Sequence, residues 1–552
     1  MKNPWHVLLC LAALSGVASL AQAQTVVFQY SIPVETQSKS STALLWLPAE
    51  ARQIRGLVVS GQTLMEREMS RDPFIRQACA QQGVGILFMK TGLGSVQLQK
   101  VLDDLAAKSG YSELSSAPLF LVGHSAGGPQ ARQSAASMPE RTFGLMQYRG
   151  GGPWAGPPLT QPATTPATSP AERYVPASVP CLMMVGQFDE FGGTNRDENG
   201  REHPWQNPRD DLVAQRAAQP DSLWSMVVEP GAGHFGWSER NARYLALFIQ
   251  KAAAARIPAT LPSDGAAPKL LTIDPRKGWL SDMTLKPMSK IPPAPFDQFT
   301  GTKANSSWHF DEELAKASAA YHEGLDRKDQ FIKWEDPYNV DAGVRFFFSK
   351  PKWVDDGTTL EVHPVYWQTV PVPPQGSGPR WLNPGTPVGN SGVPIQVKTV
   401  AGPLRAAGDH KFRIYYDALS GATEGGRITF MAYSLGNEGF RYTEQVGMLP
   451  KNFGPNPKGK DNTITFPPIG KLKVGAAPVS LKATTDSGLK VEYYVAEGPA
   501  TIADGQLRIT EVPVRAKFPV TIRVVAWQFG SLVEPLVKSA TPVEQEVVLE
   551  KP

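Results

Sequence analysis

Residues 118–128 read Pro118-Leu119-Phe120-Leu121-Val122-Gly123-His124-Ser125-Ala126-Gly127-Gly128. The first five form an apolar run of the length and composition of a strand buried on both faces. A G-x-S-x-G turn follows, and a helix is expected from about Gly128. The order strand, tight turn, helix gives the motif its meaning. A serine hydroxyl is a poor nucleophile until a base removes its proton. A sharp strand-to-helix turn lifts that hydroxyl out of the backbone, and the flanking glycines let the turn close. The helix start also aims unpaired N–H groups at developing negative charge.

Units of the same texture surround this stretch. Short strand-like runs stand at residues 26–34, 42–47, 56–60, 84–89, 143–147, 182–185 and 224–228. Helical spacing is read over 71–82, 96–107 and 237–255. In the first of these, Phe74, Ile75, Ala78 and Cys79 share a face. In the last, Tyr244, Leu245, Phe248 and Ile249 do so. Repeated strand–helix–strand units predict an α/β fold, a mostly parallel sheet flanked by helices. Residues 153–180 are rich in Pro, Thr and Ala and read as a surface loop or partial lid.

Two further residues complete a chemical pattern. Asp189 stands just beyond the run CLMMV, and His234 just beyond LWSMVV. Both fall in loops at the C-terminal ends of expected parallel strands, where open α/β sheets bind ligands. Glu190 and Asp197 are neighbouring rivals for the acid. His124 reads as packing beside the turn, and His203 lies in a polar loop at 195–207.

Ser125, Asp189 and His234, in this order and these contexts, resemble the α/β-hydrolase family over roughly residues 26–258. The resemblance implies Ser125 as nucleophile, His234 as general base and Asp189 as the residue that orients it. It also implies an oxyanion hole built from the backbone N–H of Ala126 and one from the loop after Val59, with Gln62 first and Thr63 as the alternative. That loop reads Ser60-Gly61-Gln62-Thr63, not the H-G-G-G of some lipase and esterase branches. The expected activity is ester hydrolysis through an acyl-enzyme, without a cofactor or metal. An ester substrate is the expected partner, polysaccharide-linked by analogy. Two other readings stand beside it. One is a serine peptidase resembling the prolyl-oligopeptidase branch, which shares the G-x-S-x-G-G form. The other is a glycan- or wall-binding protein on an inactive hydrolase scaffold.

The remaining chain is of a different kind. The whole has 552 residues, with 50 Gly and 50 Pro, and 55 basic against 51 acidic residues, a net charge of +4. No basic block occurs, so nucleic acid has no electrostatic footprint. Residues 1–23 read as a secretory signal peptide: Lys2, an apolar run from Val7 to Leu20, and Ala21-Gln22-Ala23 as the cleavage site. That places the protein in a secreted or periplasmic setting, with no membrane span in the mature chain. Outside the signal only Cys79 and Cys181 remain, read as two buried thiols.

The expected division is a catalytic domain at 24–258, a wrap with one helix at 259–342, a β-rich domain at 343–460 and a β-sandwich at 461–552. The helix is read over 310–325. Strands are read at 344–348, 360–367, 412–416 and 428–433. The last part alternates with period two: Val479, Leu481, Ala483; Val491, Tyr493, Val495; Val520, Ile522, Val524, Ala526. Its stretch from Ser487 to Ile502 resembles bacterial Ig-like modules of secreted proteins. Trp308, Trp353, Trp367 and Trp381 read as core residues of the β-rich half, with sugar stacking as the alternative.

Overall fold

The computed structural model describes residues 27–36, 40–151, 176–189, 205–262, 266–285, 288–335, 352–355, 357–369, 385–449 and 453–552. The expected signal peptide, most of the 153–180 loop, Glu190, Asp197, His203, the 344–348 run and Trp381 lie outside the described residues.

Eight strands form one sheet. They are β1 (Tyr30–Glu35), β2 (Ser40–Trp46), β3 (Gly56–Ser60), β4 (Val84–Met89), β5 (Leu119–His124), β6 (Thr142–Tyr148), β7 (Cys181–Gly186) and β8 (Trp224–Glu229). Their spatial order is β1-β2-β4-β3-β5-β6-β7-β8. β1 and β2 are antiparallel and β2 meets β4 antiparallel, while the neighbours from β4 to β8 run parallel. This is the α/β architecture expected from the strand–helix alternation.

The apolar runs are continuous because both faces are covered. Leu57 and Val59 of β3, with Leu119 and Leu121 of β5, face one core. Val58, Phe120 and Val122 face the other. Helices α1 (Glu66–Arg71), α2 (Pro73–Gln81) and α6 (Glu239–Arg256) cover the second core. Helices α3 (Leu98–Ser109), α4 (Gly127–Ser137) and α5 (Gln206–Ala218) cover the first. The helix expected over 71–82 is α2, and a short helix not expected from the sequence, α1, precedes it. Asp72 breaks the chain between them in an extended conformation, and its carboxylate caps Phe74 and Ile75 N–H with Pro73 at the first helical position. Cys79 and Cys181 are both buried free thiols.

Residues beyond α6 return to this unit. Helix α7 (Glu312–Tyr321) packs Leu314 and Tyr321 into the α6 core, and so do Val400 and Met431 from strands Gln396–Ala401 and Thr429–Ser434. Those two strands and Thr443–Met448 form a three-stranded antiparallel sheet. The run at 360–367 is split into two short strands, Thr359–Glu361 and Pro364–Tyr366, in different sheets. Trp308 is core, at 1% exposure. Trp353 and Trp367 are half-buried.

The final part is built on two larger sheets and one two-stranded sheet, Ile464–Thr465 with Thr484–Thr485, around one core. A four-stranded sheet places Leu472–Lys473, Val543–Glu550, Val520–Trp527 and Glu492–Glu497 side by side. A three-stranded one holds Val479–Ser480, Gln506–Ile509 and Ala500–Ala503. Val520, Ile522, Val524 and Ala526 all enter the shared core, as their alternation requires. Val491, Tyr493 and Val495 enter it too, while Tyr494 on the opposite face enters a neighbouring core, and the pairing shifts register only after Val495. This unit docks against β1: Glu497 accepts Ser31 N–H at 2.9 Å and Ser31 O–H at 2.8 Å, and pairs with Lys108 and Arg523. Arg515 pairs with Glu113 at 2.9 Å. Among the described residues no helix is long and apolar enough to cross a membrane.

Candidate active site

The chain order reverses around β3, which has β4 on one side and β5 on the other. The loops leaving β3 and β5 therefore lie side by side at the carboxyl edge of the sheet, where a crevice opens. The β5 loop is the turn at Ser125. Its φ is +51°, a left-handed value that a residue other than glycine adopts at a cost of about 1–3 kcal/mol. Gly123 shows why the turn needs glycine: a Cβ there would stand 2.0 Å from Gly127 O. Ser125 is half-buried and Ala126, at the start of α4, is exposed.

The structure brings the three dispersed residues together. Ser125 Oγ lies 2.8 Å from His234 Nε2. His234 Nδ1 lies 2.9 Å and 3.0 Å from the two oxygens of Asp189. Asp189 is 4% exposed and His234 3%. The carboxylate can only accept, so Nδ1 carries the hydrogen and Nε2 presents its lone pair to Ser125. The loops bearing Asp189 and His234 are cross-tied: Phe188 N–H donates to Ala232 O at 2.8 Å, and Gly231 N–H to Gln187 Oε1 at 2.8 Å.

His124 packs beneath His234, with ring centroids 4.9 Å apart. Its Nε2 lies 3.0 Å from His234 O, an acceptor, so Nε2 carries the hydrogen. Burial first, and then the neighbouring His234, hold its pKa well below the ordinary range. His124 is thus a neutral prop that fixes the backbone of the His234 loop.

The expected oxyanion donors lie around the turn, and their amides are engaged to different degrees. Ala126 N–H sits in the first turn of α4, where amides have no intrahelical acceptor. Gln62 and Thr63 are correctly placed after β3, but their amides are engaged. Gln62 N–H donates to Thr91 O at 2.9 Å, and Thr63 N–H to Glu66 Oε2 at 3.0 Å. As the loop stands, neither is an open donor.

Glu66 is a residue that the sequence reading missed. It is 1% exposed and accepts N–H groups from Thr63, Leu64 and His124 at 3.0, 2.9 and 2.7 Å. One carboxylate thereby ties the loop after β3 to the residue before Ser125. Burial raises its pKa, and the three N–H donors oppose that rise. A signal was present: Thr63-Leu64-Met65-Glu66 has the S/T-x-x-E spacing in which a Glu reaches back to the first amide.

Arg149 was missed too. It follows β6 with φ +47° and is buried between Glu229 and Glu444. Glu229 also receives Ser238 O–H at 2.6 Å and Asn241 Nδ2–H at 2.7 Å. Among the described residues, no group of three or more His, Cys, Asp or Glu is placed to hold a metal ion.

No known family model and no curated protein matches this chain. Solved structures do resemble its N-terminal portion. The LpqC poly(3-hydroxybutyrate) depolymerase from Bordetella parapertussis is 16% identical over 42% of this chain and 93% of its own, with a TM-score of 0.29. The esterase domain of a Rhodothermus marinus protein is 16% identical over 40% of this chain and 96% of its own, at 0.26. An S-formylglutathione hydrolase from Agrobacterium tumefaciens is 16% identical over 41% and 93%, at 0.26.

Proposed function

We propose that this protein is a secreted serine ester hydrolase working through Ser125, His234 and Asp189. The observation that carries the reading is the continuous hydrogen-bonded chain from Ser125 Oγ through His234 to Asp189. Ser125 Oγ attacks the ester carbonyl while its proton passes to His234 Nε2. Asp189 stabilises the imidazolium so formed without taking its proton. The tetrahedral oxyanion is met by Ala126 N–H. Collapse breaks the C–O bond, and His234 returns the proton to the departing alcohol. Water then attacks the acyl-Ser125 carbonyl, His234 taking its proton and handing it to Ser125 as the carboxylic acid leaves.

A second oxyanion donor from Gln62 or Thr63 requires its present hydrogen bond to be exchanged for one to the substrate. The setting of the substrate follows from the rest of the chain. A leader ending at Ala23 and an appended sandwich, read as Ig-like, suit a protein exported to act on esters of a polymer such as acylated polysaccharide. A fluorophosphonate probe tests the class: wild type is expected to label at Ser125 and Ser125→Ala not to label. An unlabelled wild type that binds glycans on an array returns the reading to a binding protein. A panel of acetyl, feruloyl, methyl-uronate and peptide substrates then separates esterase from peptidase. Cleavage of the peptide alone overturns the ester assignment.

A further inference from the structure

The His234 loop is built around a carboxylate that belongs to another part of the chain. Glu444 stands on the strand Thr443–Met448, far beyond α6. Its side chain is 4% exposed. Its Oε1 accepts Gly233 N–H at 2.9 Å and Arg149 Nη1–H at 2.8 Å. Its Oε2 accepts Tyr442 O–H at 2.8 Å. On the other side of His234, Gly236 faces the same group: a Cβ there would stand 2.1 Å from Oε2. The loop 233–236 thus wraps the carboxylate, with His234 and Phe235 between its two ends.

The same sheet supplies the counter-charge. Lys398, on Gln396–Ala401, donates to Trp237 O at the end of the loop. Burial lowers its pKa, and Glu444, Glu68 and Glu229 oppose that drop. Arg149 and Glu229 from the eight-stranded sheet, with Glu444 and Lys398 from the later one, make two positive and two negative buried groups. Such a set is tolerated only while every member is paired. Gly231 seals the contact: at φ +71°, it lies where a Cβ would be 1.7 Å from Tyr442 O.

The geometry points to Glu444 as a positioning residue for the general base, so that the β-rich region is a structural part of the catalytic centre. The inference rests on the Ser125–His234 reading above. Gly233 is bonded to His234 along the chain, so its N–H bond sets the height and tilt of the imidazole over Ser125 Oγ. Misplacing a reacting group by about 1 Å costs on the order of 100-fold in rate. The Glu444 side chain is 4% exposed and fully engaged with protein donors, so binding should change little.

The test compares full-length wild type, Glu444→Ala, Glu444→Gln and Lys398→Met on a short p-nitrophenyl ester, with kcat expressed per Ser125 titrated by fluorophosphonate. Glu444→Ala is expected to lose about 10- to 100-fold in kcat with KM within about threefold. Glu444→Gln keeps an acceptor for Gly233 N–H and should recover part of the loss. Lys398→Met should fall between Gln and wild type. If wild type itself does not label, it is the hydrolase reading that fails. If wild type labels and every folded variant keeps wild-type kcat per titrated site, the positioning role is overturned. Should Glu444→Ala not fold, the near-isosteric Glu444→Gln decides alone, and unchanged kcat and KM in it overturn the proposal. A loss confined to KM also overturns it, since that would place Glu444 in binding.

Discussion

The turn that carries Ser125 and the loop that carries His234 solve the same problem in opposite ways. The turn is made locally. Its tightest requirement, Gly123 against Gly127 O, lies within the strand–helix junction, and Glu66 on His124 N–H adds one tie from outside. The loop is made at long range. Its amides and carbonyls are held by Gln187, His124, Tyr148, Glu444 and Lys398, the last two more than 150 residues away. In the proposed reaction Ser125 needs only exposure, so a rigid turn suffices. His234 in that reading must keep one distance to two partners, and that takes scaffolding from several sides.

Four experiments bear on this contrast, beginning with the largest effect. Ser125→Ala should lower kcat by roughly a million-fold, as in other enzymes with this constellation. Near-wild-type activity on p-nitrophenyl esters would remove the turn from the chemistry. Next, a chain ending at residue 258 strips Leu314, Tyr321, Val400 and Met431 from the face of α6, and Glu444 and Lys398 from the His234 loop. Either poor folding or a loss of at least about 100-fold in kcat is expected. A soluble fragment with wild-type kcat would show that the loop stands by itself.

Third, Glu66→Gln keeps the shape but replaces one acceptor oxygen by an amide donor. It must then forfeit either the His124 bond or the Thr63 and Leu64 bonds. A fall of about 10-fold in kcat and about 1–3 kcal/mol in urea-derived stability is expected. No change would show that the turn needs no tie to the β3 loop. The smallest effect concerns acid. Burial lowers the pKa of His309 and His322 from 6.5 to about 3, and His124 is held down for the same reason. The unfolded chain takes up these protons near 6.5, while the folded one resists them. Stability is therefore full above about 6.5 and drains as the pH falls toward 3. Urea midpoints at pH 7.5 and 4.5 should differ less in His309→Gln than in wild type. An equal slope would mean that His309 titrates normally.

The sequence was legible where structure is periodic or local. The runs at 56–60 and 118–122 revealed a doubly covered sheet because Leu57–Val59 and Leu119–Val122 are apolar without interruption. Ser125, Asp189 and His234 could be singled out because each follows a strand. The support around them was not legible. Nothing near Glu444 or Lys398 distinguishes them from surface charges on alternating strands, since their burial depends on a partner sheet that only folding supplies. The engagement of the oxyanion loop was illegible for a related reason. Chain position located Gln62 and Thr63, but Thr91 and Glu66 compete for their amides, and that competition is visible only in three dimensions.

The contact between Ser31 and Glu497 has a consequence for how the molecule is made. These residues are 466 positions apart, so Ser31 on β1 is synthesised long before Glu497. Synthesis proceeds from the amino end at about 5–20 residues per second, so β1 waits tens of seconds for the partner that covers it. Closure over such a span gives the fold a high contact order, which slows the final search. For that interval β1 keeps an open flank where the last unit will dock.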